Sequence, residues 1–170
     1  MKLQLIFRAV FFTLLFPGII TVVAPFFILR QSISGTSLEL SLLSAVAAFV
    51  CTLSAGFLLH CIWAFAFYGK GTLSPIDPPV SLVIHGLYRY SRNPMYLAVI
   101  FVLLSEALFF QSLTLLCYTI IILICFYLFV RLYEEPYQTN HFGEQYSNYC
   151  RLVPRWGLTF HPYKNNGGAA

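Results

Sequence analysis

The stretch PMYLAVIFVLLSEALFFQSLTLLCYTIIILICFYLFV, Pro94 to Val130, decides the fold. Pro94 to Phe110 is apolar apart from Glu106, and Leu113 to Val130 carries no charge at all. A helix that crosses a bilayer needs roughly 20 such residues. Backbone facing lipid must satisfy its own amides, so both runs read as helices. Only Gln111 and Ser112 separate them. That spacing predicts a tight helical hairpin whose two polar ends are neighbours.

Two further apolar runs lie upstream. Leu40 to Tyr68 contains His60 as its one titratable imidazole. Leu3 to Leu29 is interrupted by Arg8, Pro17, Gly18 and Pro25. A cleaved signal sequence is the rival reading of that first run. Its length and the lack of a small-residue cleavage site favour a retained span. Over the whole chain 59% of residues are hydrophobic and 9% charged, with a mean hydropathy of +0.77. Soluble domains carry about 25% charged residues. The expectation is an all-α integral membrane protein of about four spans with a carboxy-terminal helical cap. Residues 1–68 would hold two spans, 69–164 a functional core, and 165–170 a disordered tail.

Nine of the ten Lys and Arg fall in the amino terminus, the central loop or the carboxy-terminal segment. With four spans these share one side, which the positive-inside rule makes cytoplasmic, with an inner bacterial membrane as the expected location. The net charge of +4 suits an anionic membrane surface. The basic residues are dispersed, so no nucleic-acid partner is expected. The five cysteines include no CxxC pair. They read as packing residues, with neither a disulfide framework nor a metal site expected.

Two polar segments interrupt the apolar pattern. In the first, Gly69-Lys70-Gly71-Thr72 lacks phosphate-loop spacing, because position 64 is Ala and Gly71 follows the lysine. Asn93-Pro94 is a helix-start signal, with Asn as N-cap and Pro at the first helical position. It would aim free amides and the positive dipole end at the polar loop. Two readings are open for Tyr88, Arg89, Tyr90, Arg92 and Tyr96: an interfacial anchor belt or the wall of a ligand site. In the second segment, Glu134 and Glu135 follow the last span. At a helix carboxy end they would oppose the dipole, which marks either function or a solvated exit. The hairpin lets Asn93–Tyr96 and Glu134–Glu135 converge in one pocket.

Arg92-Asn93-Pro94-Met95-Tyr96, Glu134-Glu135, Phe142-Gly143-Glu144-Gln145-Tyr146, Tyr149 and Val153-Pro154-Arg155 together resemble the isoprenylcysteine carboxyl methyltransferase and phospholipid methyltransferase superfamily. The likeness covers about residues 70–156. It implies S-adenosyl-L-methionine as cofactor and a lipid or lipid-like methyl acceptor reached from the bilayer. By that resemblance Ser81, Leu82 and Val83 would border the cofactor, and Tyr88 would wall it. Asn93, Pro94, Met95 and Tyr96 would stand beside it, and Glu134 with Glu135 would meet its polar groups. Arg92 and Arg131 would hold an anionic substrate group. The family often has His where Asn93 stands, so no imidazole base is available there. A related core in sterol reductases keeps an NADPH-dependent reductase as the alternative enzyme. A transporter or accessory subunit is the non-enzymatic alternative, and it would place polar residues at mid-membrane depth. Glu106 would either reach the outer interface or pair with Arg30. His60 reads as a packing residue, His141 as a flank of the pocket, and His85 and His161 as solvated.

Overall fold

The computed structural model describes residues 11, 15–32, 41–69 and 81–163, excepting the side chains of 65, 66 and 69. The expectations for Lys2, Arg8, the Lys70–Pro79 loop and the 165–170 tail lie outside these residues. Every regular element among the described residues is helical. α1 (Ala24–Ser32) follows a π-helical turn, Ile19–Val23. α2 is Leu42–Gly69, and a 3-10 turn spans Gly86–Arg89. α3 (Pro94–Phe109) and α4 (Leu113–Phe129) form the hairpin. A second π-helical turn, Val130–Glu134, leads into α5 (Glu135–Phe142), which α6 (Glu144–Leu152) follows.

Two helical stretches, Leu42–Ala64 and Leu113–Phe142, are long and apolar enough to cross a membrane. Leu15–Gln31 and Pro94–Phe109 are apolar but shorter. Local chemistry explains the boundaries. Ser41 and Ser44 exchange side-chain to backbone bonds at the start of α2. Pro94 opens α3. Gln111 turns the chain with φ +48°, and Ser112 caps α4 by accepting from the Leu115 amide at 3.3 Å. The hairpin is therefore as tight as the two-residue spacer requires.

α2 packs along α3, and α3 along α4. Leu58, Ala98, Val99 and Leu103 form the buried centre, joined by Ile62, Tyr118, Ile122 and Phe126. Small residues let the helices approach: Ser105 is 2% exposed and its hydroxyl donates to its own helix at the Phe101 carbonyl. The outward faces remain apolar, with Phe49, Leu59, Ile121 and Ile124 all about half exposed or more. That is the surface a lipid solvent covers.

One expectation is corrected. The helix that begins at Leu113 does not end near Val130. It runs on to Phe142, about 45 Å at 1.5 Å per residue. Glu134 and Glu135 therefore do not face a helix carboxy terminus, and the dipole penalty argued from the sequence does not apply. Pro136 supplies the reason for the π turn. It has no N–H for the carbonyl one turn back, and π turns re-pair a ladder so interrupted.

The turn at Gly86 joins α2 to the site. Gly86 has φ +58°, and a Cβ there would lie 2.6 Å from His60 Nε2. His60 thus serves as a packing partner for a bare backbone. His85 stacks on Tyr68 with centroids 4.0 Å apart, so it is held by a ring and not only by water. Gly86→Ala should cost about 1–2 kcal/mol from the left-handed backbone alone. Thermal unfolding in detergent should show the loss, and adding His60→Ala should recover only the part due to steric contact.

Candidate functional site at the polar end of the hairpin

Four chain segments meet where α3 begins. The extended residues before the 3-10 turn run past the end of α2, where Ser81 Oγ donates to the Tyr68 carbonyl at 2.8 Å. The carboxy-terminal segment straps the same turn. The Arg92 amide donates to the Pro154 carbonyl at 3.0 Å, Thr159 to Tyr90 at 2.9 Å, and Tyr163 to Arg89 at 3.0 Å. From α6, the Tyr149 hydroxyl donates to the Tyr88 carbonyl. Burial first, then the charges around it, hold the Tyr149 and Tyr88 phenols well above their ordinary pKa. Both stay protonated, so Tyr149 remains a donor.

Glu135 anchors this arrangement. Its Oε1 accepts from Arg92 Nη1 and Arg155 Nε, each at 2.7 Å, and its Oε2 accepts from Arg155 Nη2 at 2.6 Å. The Arg155 contact is bidentate, the strongest form of carboxylate pairing. Glu135 has no free face for a ligand and does not line the neighbouring cavity. Its neighbour Glu134 points elsewhere. Glu134 Oε2 accepts from the Tyr96 hydroxyl at 2.9 Å, and Oε1 accepts from Gln138 Nε2 at 3.0 Å. Successive helical residues project about 100° apart, so two adjacent acids serve two separate sites.

The cavity beside Glu134 is lined by Leu82, Val83, Tyr88, Arg92, Asn93 and Met95, with Tyr96, Gln138, Phe142 and Tyr149 closing it. Its cavity volume is about 50 Å³, and the whole concavity, open mouth included, is about 500 Å³. Burial raises the Glu134 pKa above the ordinary carboxylate range; the Tyr96 and Gln138 bonds pull it down, and the Glu135 charge adds to the rise. No cation pairs with Glu134 among the described residues. A largely buried carboxylate with spare lone pairs is the acceptor that a ribose diol or an ammonium would satisfy.

Of the residues singled out in the sequence, Leu82, Val83, Tyr88, Arg92, Asn93, Met95, Tyr96 and Glu134 gather on this cavity. Ser81 and Pro94 stand just behind it and serve backbone geometry. Arg131 lies apart, exposed, with Nη1 donating to the Tyr127 hydroxyl at 3.2 Å. His141 stacks on Tyr137 and does not reach the cavity. Asn93 occupies the cap position without capping: Nδ2 donates to the Arg155 carbonyl at 3.1 Å instead. Gln138, Phe142 and Tyr149 also line the cavity, and the sequence assigned none of them a site role; Gln138 and Phe142 sit one or two turns beyond Glu134 on a helix expected to end earlier.

The hairpin carries an acid-bearing cavity at its polar end, beside the apolar faces of its helices. Residues 42–145 match the model of the phospholipid methyltransferase family, and the chain belongs to that family. No curated protein and no solved structure matches it. Members are S-adenosylmethionine-dependent methyltransferases of membranes, acting on a lipid. The reductase and transporter alternatives fall with that assignment.

The environment of Glu134 yields a sign-definite expectation. Its folded pKa is raised, so the fold favours the protonated carboxyl, and stability is lost as pH rises through the folded value. Glu134→Gln should therefore stabilise the ligand-free protein at neutral pH by about 0.5–2 kcal/mol, and should change little in acid. Glu135→Ala should do the opposite, costing about 3 kcal/mol by stranding two guanidinium groups. Denaturation followed in detergent at neutral and acid pH separates the two.

Proposed function

We propose that the cavity beside Glu134 holds S-adenosyl-L-methionine and that methyl transfer to a lipid takes place at the cytoplasmic membrane face. The observation that carries the reading is the half-buried Glu134 carboxylate, paired with no cation among the described residues, opening onto a cavity beside the start of α3. Glu134 would accept from the ribose hydroxyls or the methionyl ammonium, with Tyr96 and Gln138 fixing its orientation. Leu82, Val83 and Met95 supply apolar walls, and the Tyr88 ring a face for a cation. Asn93 and Pro94 set the position of the helix start.

The cofactor supplies an electrophilic methyl group on a sulfonium. The protein has to align the acceptor and exclude water, which can provide much of the acceleration. No imidazole stands at position 93, and His141 is turned away from the cavity. A carboxylate acceptor needs no base, and a phospholipid head group can present either a carboxylate or an amine. An amine acceptor would need to arrive already neutral. Arg131, paired with no acid among the described residues, would hold an anionic group of the lipid. Arg92 acts through Glu135 on the geometry of the site.

The four apolar helical segments would cross the bilayer, with both termini and nine of the ten Lys and Arg on the cytoplasmic side. α3 is 16 residues long, about 24 Å, and local thinning would meet the shortfall against a core of about 30 Å. Of the two readings of Glu106, the pairing with Arg30 is not found among the described residues, where its Oε2 is unpaired.

Calorimetric titration with S-adenosylhomocysteine tests this assignment. Folded protein should bind. Glu134→Ala and Tyr96→Ala should each weaken binding about tenfold or more, as expected for loss of a charge-assisted hydrogen bond. Affinity should also fall as pH drops through the raised pKa of Glu134, because the protonated carboxyl loses acceptor strength. Absence of binding in folded protein would sink the cofactor assignment.

A further inference from the structure

A second concavity opens on the lipid-facing side of α4. Leu123, Ile124 and Tyr127 line it with Trp156 of the carboxy-terminal segment, and it measures about 300 Å³. That is the lower end of the size range for ligand clefts. Leu123 and Ile124 are 41% and 52% exposed, so the floor is open to lipid.

Its position is more informative than its size. The Trp156 ring lies 6.5 Å from Tyr96, whose hydroxyl binds Glu134. Tyr96 also packs on Phe126, the neighbour of Tyr127, at 4.6 Å. Tyr96 and Trp156 therefore stand between the groove and the Glu134 cavity. At the polar end, the Tyr127 hydroxyl accepts from Arg131, whose cation pairs with no acid among the described residues. Trp156 Nε1 is buried and has no partner among them. An N–H shut off from water is costly until an oxygen reaches it.

We propose that this groove seats an acyl chain of the phospholipid methyl acceptor, with the lipid phosphate at Arg131 and Tyr127. The inference rests on the lipid-methyltransferase reading and adds the acceptor's route. The chain lies along Leu123 and Ile124, the phosphate stops at Arg131, and the head group beyond it reaches the Tyr96 wall. The apolar floor, the single cation at one end and the shared aromatic wall all fit a molecule with a tail, an anion and a reactive head in that order. General lipid solvation accounts for the exposed face but not for a cation at the mouth or for the shared wall.

Trp156 offers the readout. Trp63→Phe leaves it the sole tryptophan of the two in the chain. The full-length Trp63→Phe protein in micelles is titrated with phosphatidylethanolamine carrying brominated acyl chains, which quench a touching indole. Quenching should saturate, and unbrominated phosphatidylethanolamine should reverse it. Adding Leu123→Phe with Ile124→Phe fills the groove and should raise half-saturation about fourfold, the effect of roughly one buried methylene. Arg131→Gln leaves the groove open and should raise it about threefold, within the range of a charge-assisted bond near a surface. Quenching proportional to bromolipid in every protein would overturn the proposal, leaving bulk lipid contact alone. An unchanged half-saturation in Arg131→Gln would overturn the phosphate anchor. Circular dichroism and S-adenosylhomocysteine titration on the same samples report folding and the cofactor site. Saturable quenching without S-adenosylhomocysteine binding would retain the groove and remove the methyltransferase assignment.

Discussion

The Glu135 carboxylate, shared between Arg92 and Arg155, is the interaction on which the polar end of the molecule depends. Arg92 precedes α3, Glu135 lies on the extended α4–α5 helix, and Arg155 belongs to the carboxy-terminal strap. One carboxylate thus ties three segments far apart in sequence. Its side chain is only 14% exposed, and each of its carboxylate oxygens accepts from a guanidinium. Such a clamp is stable when complete and costly when one member is missing. It also commits Arg92 and Arg155 to Glu135, so that neither pairs with Glu134.

The π turn before Pro136 is the second constraint. It keeps the helix intact through a residue that would otherwise break it, and it sets the direction in which the two acids project. A regular helix could not carry both the proline and a full ladder of bonds. A broken one would leave Glu134, Gln138 and Phe142 on a loop. Carrying them on a rigid helix that rises out of the apolar hairpin sets a polar cavity directly against the membrane boundary. A cofactor from water and a lipid from the bilayer have to meet at such a boundary.

Much of the architecture was legible in the residues. The uncharged run to Val130 and the two-residue spacer at Gln111–Ser112 required a hairpin, and Pro94 marked where α3 starts. The convergence of Asn93–Tyr96 with Glu134 followed from that hairpin alone. What could not be read was division of labour. Nothing in the pair Glu134–Glu135 says which acid is a strut, because that depends on where Arg155 returns from 20 residues away. The uncharged run stops at Val130, and the proline at 136 gives no sign that a π turn will carry the helix past it. Asn93 has the right type for a cap, yet its amide serves a carbonyl across the site.

The central claim is that Glu134, and not Glu135, meets the cofactor. An experimental structure of the protein with S-adenosylhomocysteine bound tests it most directly. The account predicts a ribose hydroxyl or the amino group within hydrogen-bond distance of the Glu134 carboxylate, with Glu135 still held by Arg92 and Arg155. A cofactor bound away from Glu134, or one that draws Glu135 out of its two arginines, would contradict it.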